Sequence, residues 1–120
     1  MLDPSIIIAL LPMMEKKRVS LVARGRQKSR VTKQGFLEWY LSEKKDVRDL
    51  ATKNETWIER RKNFLSRHAK GRLWTRSGEP TRHHLSLIAW AYTPDEKKLT
   101  EYIESRGLRN QSLSGFLGKN

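Results

Sequence analysis

The sequence predicts an all-α fold, a small bundle of four or five short helices with irregular N- and C-terminal tails. Three observations support this. An apolar run of helical length spans residues 81–92, helix start and stop signals bracket several other stretches, and no useful length alternates apolar and polar residues as a half-buried strand would. A chain of 120 residues is expected to form one domain. We expect an apolar segment plus basic arm over 1–34, a helical domain over 35–108 and a flexible tail over 109–120.

The run TRHHLSLIAWAY, residues 81–92, is expected to be the central core helix. Pro80 and Thr81 suit a helix start, and Pro94 disfavours continuation of the same helix. A helix that is apolar on most sides is normally buried on most sides. Its apolar residues cover two flanks: Leu85, Ile88, Ala89 and Tyr92 on one, and Leu87, Trp90 and Ala91 on the other.

The first 14 residues, MLDPSIIIALLPMM, form a short apolar segment. Asp3 and Pro4 suit a helix cap and first turn, whereas Pro12 interrupts the run. The run is far shorter than the ~20 residues of a membrane span, and the bases that follow it argue against a leader peptide. The segment could fold onto the protein's own core, dock into another subunit or lie on a membrane surface. The docking hypothesis assigns the contact to Ile6, Ile7, Ile8, Leu10 and Leu11.

Positive charge is concentrated in two blocks. The formal net charge is +12, residues 16–35 carry eight bases and no acid, and residues 59–84 carry eight bases and two acids. Such charge favours a polyanionic partner, and the first block is predicted to be an extended arm on a phosphate backbone or, alternatively, a solvated linker. The candidate nucleic-acid-binding residues are Lys16, Lys17, Arg18, Arg24, Arg26, Lys28, Arg30, Lys33, Arg60, Arg61, Lys62, Arg67, Arg72, Arg76 and Arg82.

Between the two blocks, the residues after Gly35 predict a helix with an aromatic face. Asp46 could cap a further short turn, which would point Val47, Leu50 and Ala51 inward. A third helix is then expected to start at a cap of Asn54 or Thr56 and to run to about Ala69.

The last helix has strong end signals. Thr93 is predicted to be its N-cap, with Pro94 at the first helical position and Glu96 closing a capping box. Gly107 followed by Leu108 predicts a Schellman-type stop.

Catalytic and metal-binding motifs are absent from the sequence. It contains no cysteine, no phosphate-binding glycine loop and no nucleophile or zinc motif. The adjacent His83 and His84 would point about 100° apart on a helix and could not present two ligands on one face. We therefore expect a non-enzymatic protein without metal or cofactor. Among the tryptophans, Trp39, Trp57 and Trp90 are interpreted as packing residues, whereas Trp74 could contact a ligand between Arg72 and Arg76.

The stretch from Arg60 to Tyr92, RRKNFLSRHAKGRLWTRSGEPTRHHLSLIAWAY, resembles a pattern in small basic proteins encoded by tailed phages, including cyanophages. In that pattern a basic R-R-K-x-F/S helix start precedes a G-x-P-T-R turn and an apolar helix. The resemblance covers about a quarter of the chain and brings no functional residues with it. It implies phage origin and a place in the virion.

Two functions follow as hypotheses. The first is a structural protein of a phage particle or similar assembly, in the virion or host cytoplasm, that docks by its apolar N-terminus and contacts nucleic acid or acidic neighbours through its basic arm. The second is a free, sequence-tolerant nucleic-acid-binding protein. The apolar segment distinguishes them, because a free binder has little need of an exposed apolar run.

Overall fold

A computed structural model describes residues 1–25 and 34–109. Its elements in chain order are α1 (Pro4–Lys17), α2 (Phe36–Tyr40), β1 (Leu50–Thr52), β2 (Glu55–Thr56), α3 (Trp57–His68), α4 (Arg82–Ala89) and α5 (Glu96–Ser105). The helix-rich expectation is confirmed for this part of the chain. A purely all-α fold is wrong, because β1 and β2 pair as an antiparallel hairpin. Strands of three and two residues are too short to show an alternating pattern.

The residues before the hairpin also differ from their prediction. They form a turn closed by a hydrogen bond from the Arg48 amide to the Asp46 carboxylate at 2.8 Å. Val47 is 71% exposed and Leu50 is 42% exposed, so neither points inward, whereas Ala51 is buried as expected.

Helix starts that depend on local capping follow the sequence signals. The Asp3 carboxylate accepts from the Ser5 amide at 2.9 Å, and Thr56 forms a capping box with Glu59 at the start of α3. Thr81 accepts from the His84 amide at 3.1 Å at the start of α4. Side chains of this kind satisfy backbone donors that a helix leaves unpaired in its first turn.

The start of α5 differs from its prediction. Asp95, not Thr93, is the N-cap, and its side chain accepts from the Lys98 amide at 3.1 Å. Its end is as predicted: Gly107 has φ of +61°, and the Leu108 amide donates to the Ile103 carbonyl at 3.0 Å. That bond is the long bond of a Schellman stop.

Helix α1 packs against α4 and α5 as part of the core. It continues through Pro12 to Lys17, and its apolar face joins the same cluster of buried residues as α4 and α5. The predicted boundary after residue 34 therefore does not separate two cores. The docking hypothesis is wrong and its own-core alternative is right: of the five residues assigned to docking, Ile8 is partly exposed and the others are buried, namely Ile6, Ile7, Leu10 and Leu11.

An aromatic cluster connects α2, α3 and the end of α4. The ring of Phe36 lies 4.8 Å from that of Trp90 and 6.1 Å from that of Trp57, between centroids. Trp39, Trp57 and Trp90 are all buried, which confirms that they are packing residues. Aromatic pairs at such distances add to the stability that burial alone provides.

Candidate nucleic-acid interface

The interface begins at the end of α1, where the first block of positive charge starts. Lys16 and Lys17 occupy the last helical turn and are exposed. Arg18 follows with φ of +52°, and the amide of the buried Val19 donates to the Met14 carbonyl at 3.1 Å. This is a Schellman stop with its usual apolar contact. The extended arm that the charge pattern predicts is therefore wrong for residues 16–25.

Arg24 is held inside this turn and is not available to a ligand. It is 1% exposed, its Nε donates to the Val19 carbonyl at 2.7 Å, and its guanidinium pairs with the Glu15 carboxylate. A buried guanidinium must find acceptors within the protein, because its desolvation is costly. The prediction that Arg24 binds nucleic acid is therefore wrong.

Residues 25 and 35 lie side by side, so the segment between them leaves and returns at one place. A Cβ added to Gly35 would lie 2.3 Å from the Gly25 amide nitrogen, which only glycine avoids. The Leu37 amide donates to the Ala23 carbonyl at 2.8 Å and fixes the two ends together. Four predicted binding residues, Arg26, Lys28, Arg30 and Lys33, fall in the intervening segment and lie outside the described residues.

A cleft of about 410 Å³ lies beside these ends, between the turn and α3. Arg18 comes to it from the first charge block, and Arg60 and Arg67 come from the second. The two blocks, which are far apart in sequence, therefore meet at one surface. Among the described residues, no Asp or Glu lines this cleft, and its remaining lining is Ser20, Leu21, Val22, Ala23, Phe64 and Trp90.

Helical spacing brings the α3 residues of the cleft together. Arg60, Phe64 and Arg67 follow the i, i+4, i+7 pattern of one helical face. Lys62 is exposed but lines neither this cleft nor its neighbour. Within the part of the chain that the structure describes, Arg18, Arg60 and Arg67 form no ion pair, so their charge is available to an anion.

A second cleft, of about 490 Å³, continues the first along α3 and shares Arg60 and Arg67 with it. It also contains Glu55, whose carboxylate accepts from the Asn63 amide group at 2.7 Å. The positive surface is therefore continuous around α3 and is bounded by one acidic residue at the β-hairpin.

The prediction that Arg61 binds nucleic acid is also wrong, because its guanidinium binds the protein's own backbone. Nε donates to the Trp90 carbonyl at 2.7 Å and a terminal nitrogen donates to the Ala91 carbonyl at 2.9 Å. The Leu2 amide donates to the same Ala91 oxygen at 3.2 Å, and Ala91 has φ of +60°. Carbonyls at a helix C-terminus attract cations. Arg61 therefore joins α3 to the end of α4, beside the start of the chain.

The remaining binding candidates of the second charge block differ in their contacts. Arg82 is exposed, and its guanidinium donates to the carbonyls of Lys17 and Arg18, the latter at 3.2 Å, which ties α4 to the end of α1. Arg72 and Arg76 are also exposed, but they line neither α3 cleft, and Arg72 Nε donates to the Trp74 carbonyl at 3.0 Å.

That Trp74 contacts a ligand between Arg72 and Arg76 stays a prediction. The residue lines a cleft of about 340 Å³ together with Lys98 and Arg106. It is half-buried against α5, with Lys98 Nζ 4.6 Å from its ring centroid and the Tyr102 ring 6.4 Å away. The ring of His84 packs edge-on at 5.0 Å. These contacts give Trp74 a packing role on the side that faces α5.

His84 is buried and fully hydrogen-bonded. Nδ1 lies 3.0 Å from the Leu73 carbonyl, to which it donates, so Nε2 accepts from the Thr93 hydroxyl at 2.7 Å. Burial lowers the pKa of the imidazole below its ordinary value of 6.5, although the Leu73 carbonyl opposes the shift. The ring is therefore a neutral structural link between α4 and the residues before α5, and the Thr93 hydroxyl also accepts from the Asp95 amide at 3.3 Å.

The sequence reasoning missed the apolar part of the cleft. Phe64 has the spacing of the apolar, buried side of α3, and Leu21 is one of few apolar residues in the first charge block. Both line the cleft and both are partly exposed. The signal that was present is the sequence Val19-Ser20-Leu21-Val22 inside a basic block, which a merely solvated arm does not need.

Residues 1–25 and 34–109 contain neither a cluster of metal ligands nor a helix that could span a membrane. No group of three or more histidine and acidic side chains gathers closely enough to hold a metal ion. None of the helices there is both long enough and apolar enough to cross a membrane.

Comparison with protein-family models, with curated proteins and with solved structures gave no match.

Proposed function

We propose that this protein is a sequence-tolerant nucleic-acid-binding protein whose contact surface combines the α3 cleft with the adjoining basic segment 26–33. The observation that carries the proposal is the convergence of arginines from both charge blocks on one cleft without an acidic lining residue. Guanidinium groups bind phosphate oxygens in a bidentate geometry that lysine cannot match. The phosphodiester backbone of a nucleic acid is the ligand that best satisfies several such groups in a row.

Tolerance of sequence follows from the way the arginines are presented. Contacts to phosphate fix a protein on its ligand but carry no sequence information. A helix-turn-helix would need a turn of about three or four residues between its helices. Helices α3 and α4 are instead separated by residues 69–81. We therefore expect affinity to depend on charge and not on base order.

The assembly hypothesis now has less support than the free binder. It depended on an exposed apolar segment at the N-terminus, and that segment is buried in the protein's own core. Phage origin and a location in the virion rest only on the resemblance over residues 60–92. They remain predictions, and recovery of the protein in purified particles would support them.

The proposed function is tested by the salt dependence of binding to a duplex. If about six to eight phosphates are engaged, the log–log slope should be about −5 to −7. The variant Arg60→Gln/Arg67→Gln should flatten that slope by about two units, one for each lost contact.

The matched control is Lys44→Gln/Lys97→Gln, which removes the same charge from exposed positions that line neither α3 cleft. Its slope should equal that of the parent. Equal slopes for the two double variants would place the contacts elsewhere on the surface. Absence of binding to any nucleic acid at low salt would overturn the proposed function.

A further inference from the structure

We infer that the cleft between the turn and α3 accepts an unstacked nucleobase, so that the preferred ligand is single-stranded nucleic acid. The inference rests on the proposed function and specifies its ligand class. It is carried by the floor of the cleft, a part of the surface that phosphate binding does not use.

The floor is apolar and partly aromatic. Leu21 and Val22 line it from the turn, and Phe64 and Trp90 line it from α3 and the end of α4. The Phe64 ring stacks on that of Trp90, with centroids 5.3 Å apart and planes 23° apart, so its position is fixed by the core. Phe64 remains partly exposed at the cleft. The His68 ring also lies 4.7 Å from that of Phe64, between centroids, and the part of Phe64 that stays exposed in the cleft is where a flat aromatic group can pack.

The dimensions of the cleft suit a group of this kind. Its volume of about 410 Å³ lies within the range of small-ligand pockets. The turn side is also rigid, because Ala23 is buried and Arg24 anchors the backbone beneath it. A base that entered would therefore meet preformed walls on both sides.

The charged rim explains why the occupant would belong to a nucleic acid. A base in the cleft would have phosphates on either side of it, and Arg18, Arg60 and Arg67 stand at the edge of the same cleft. Single-strand-binding proteins combine a basic groove with aromatic packing in this way. Guanidinium planes also stack on bases, which suits arginine better than lysine at this rim.

A duplex cannot use the floor without paying an additional cost. Its bases are paired and stacked, and bringing one to the cleft would require its extrusion from the helix. A surface that bound only duplex phosphates would gain nothing from an apolar floor exposed to water. The combination of floor and rim therefore favours a strand whose bases are already unpaired.

The test compares three fluorescently labelled ligands of about 12 nucleotides, a length that falls within known single-strand site sizes. They are an intact single strand, an abasic single strand with the same phosphates, and a duplex. Fluorescence anisotropy at constant salt should show the intact strand binding about tenfold more tightly than the abasic strand. This comparison needs no variant, so it does not depend on the folding of a mutant.

A pair of variants locates the effect. Phe64→Leu should weaken binding of the intact strand by roughly fivefold to tenfold and leave binding of the abasic strand unchanged. Trp74→Leu is the matched control, because it removes a half-buried aromatic ring that lies against α5 instead of the cleft. It should leave the affinity for both strands at the parent value.

The other possible results contradict either this inference alone or both the inference and the proposed function. Equal affinities for intact and abasic strands would overturn this inference and leave the proposed function standing. Tighter binding of the duplex than of the intact strand would have the same meaning. Failure to bind any of the three would overturn both statements. Competition by polyglutamate as effective as that by the single strand would assign the cleft to an acidic protein segment and would also overturn both.

Discussion

Two neighbouring arginines of α3 show how much a single position decides. Arg60 lines the cleft and forms no ion pair among the described residues, whereas the next residue, Arg61, donates to two carbonyls at the end of α4. Consecutive helical residues point about 100° apart, so one faces the ligand surface and the other faces the core. The chemistry of the side chain is the same at both positions, and its role differs.

This difference gives a paired prediction. Arg61→Gln should lower the free energy of unfolding by about 1.5–3 kcal/mol, because it removes charged hydrogen bonds to partly buried carbonyls. Arg60→Gln should change stability by less than about 0.5 kcal/mol and should weaken nucleic-acid binding. Urea unfolding and binding titrations of both variants provide the measurement. Interchanged effects would mean that the two roles have been assigned in reverse.

His84 predicts a dependence of stability on pH. The folded protein keeps this imidazole neutral, since burial lowers its pKa below 6.5, while the unfolded chain takes up a proton as the pH falls through that value. The unfolded state therefore binds more protons, and stability is lost on acidification. As the pH is lowered from ~7.5 through ~6.5, stability should begin to fall, with a slope of at most about 1.4 kcal/mol per pH unit, the value for one proton.

Guanidinium unfolding over that pH range tests the prediction for His84. The variant His84→Asn should be less stable at every pH, but its stability should vary much less with pH. A slope that is unchanged in His84→Asn would show that another group is responsible.

The sequence could not separate the binding arginines from the structural ones, and the reason is physical. Arg24 and Arg61 bind acceptors, among them the carbonyls of Val19, Trp90 and Ala91, that only the folded chain places within reach. Charge density is a property of the sequence, but the availability of a charge depends on tertiary partners. Pattern reasoning located both charge blocks correctly and could not identify which members remain accessible.

At the scale of elements, what could be predicted depended on how local the cause was. The starts of α1, α3 and α4 were predicted because a cap bonds to an amide two or three residues away. The start of α5 was misplaced because two cap residues lie close together in the sequence, and Asp95, not Thr93, accepts from an amide of the first turn, that of Lys98 at 3.1 Å. The role of α1 was left open because its apolar face could have been covered by this chain or by another.

Removal of α1 tests its place in the core. Deletion of residues 1–14 would take away six large apolar side chains that are at most 3% exposed, among them Leu10 and Leu11, and would expose the faces of α4 and α5. Each such side chain contributes about 1.5–3 kcal/mol when fully buried. That loss exceeds the stability of an ordinary small domain. We expect the truncated protein to lack a cooperative thermal transition in circular dichroism.

A milder substitution serves as its control. Ile8 is the partly exposed member of the apolar run, so Ile8→Ala should lower the melting temperature much less than Leu10→Ala, which should cost about 2–5 kcal/mol. Normal melting of the truncated protein would contradict the packing of α1 described here.

At the scale of the whole molecule, the fold gathers positive charge that the sequence distributes over two blocks. Arg82 ties the end of α1 to the start of α4, and the cleft places Arg18 beside Arg60 and Arg67. Gly25 and Gly35, which flank the stretch 26–34, contact each other, and Ala23 lines the cleft. The four bases of segment 26–33 add to the positive charge that attracts an anion at long range.

Neutralising those four bases tests their share of the binding. The variant in which Arg26, Lys28, Arg30 and Lys33 become glutamine should flatten the duplex salt slope by about three and a half units, with little change in melting temperature. Four exposed lysines elsewhere form the matched control, namely Lys44, Lys45, Lys53 and Lys97. Loss of slope in the control alone would move the binding surface away from the cleft.

The contact between Gly25 and Gly35 also affects how this protein can diverge. The backbones of the two glycines pack against each other, and the Leu37 amide donates to the Ala23 carbonyl beside them. A side chain at position 35 would break this contact, and Gly25 has a left-handed φ of +78°, which glycine adopts without strain. Stability alone is therefore expected to hold both glycines in place as the sequence diverges, whichever ligand the protein binds.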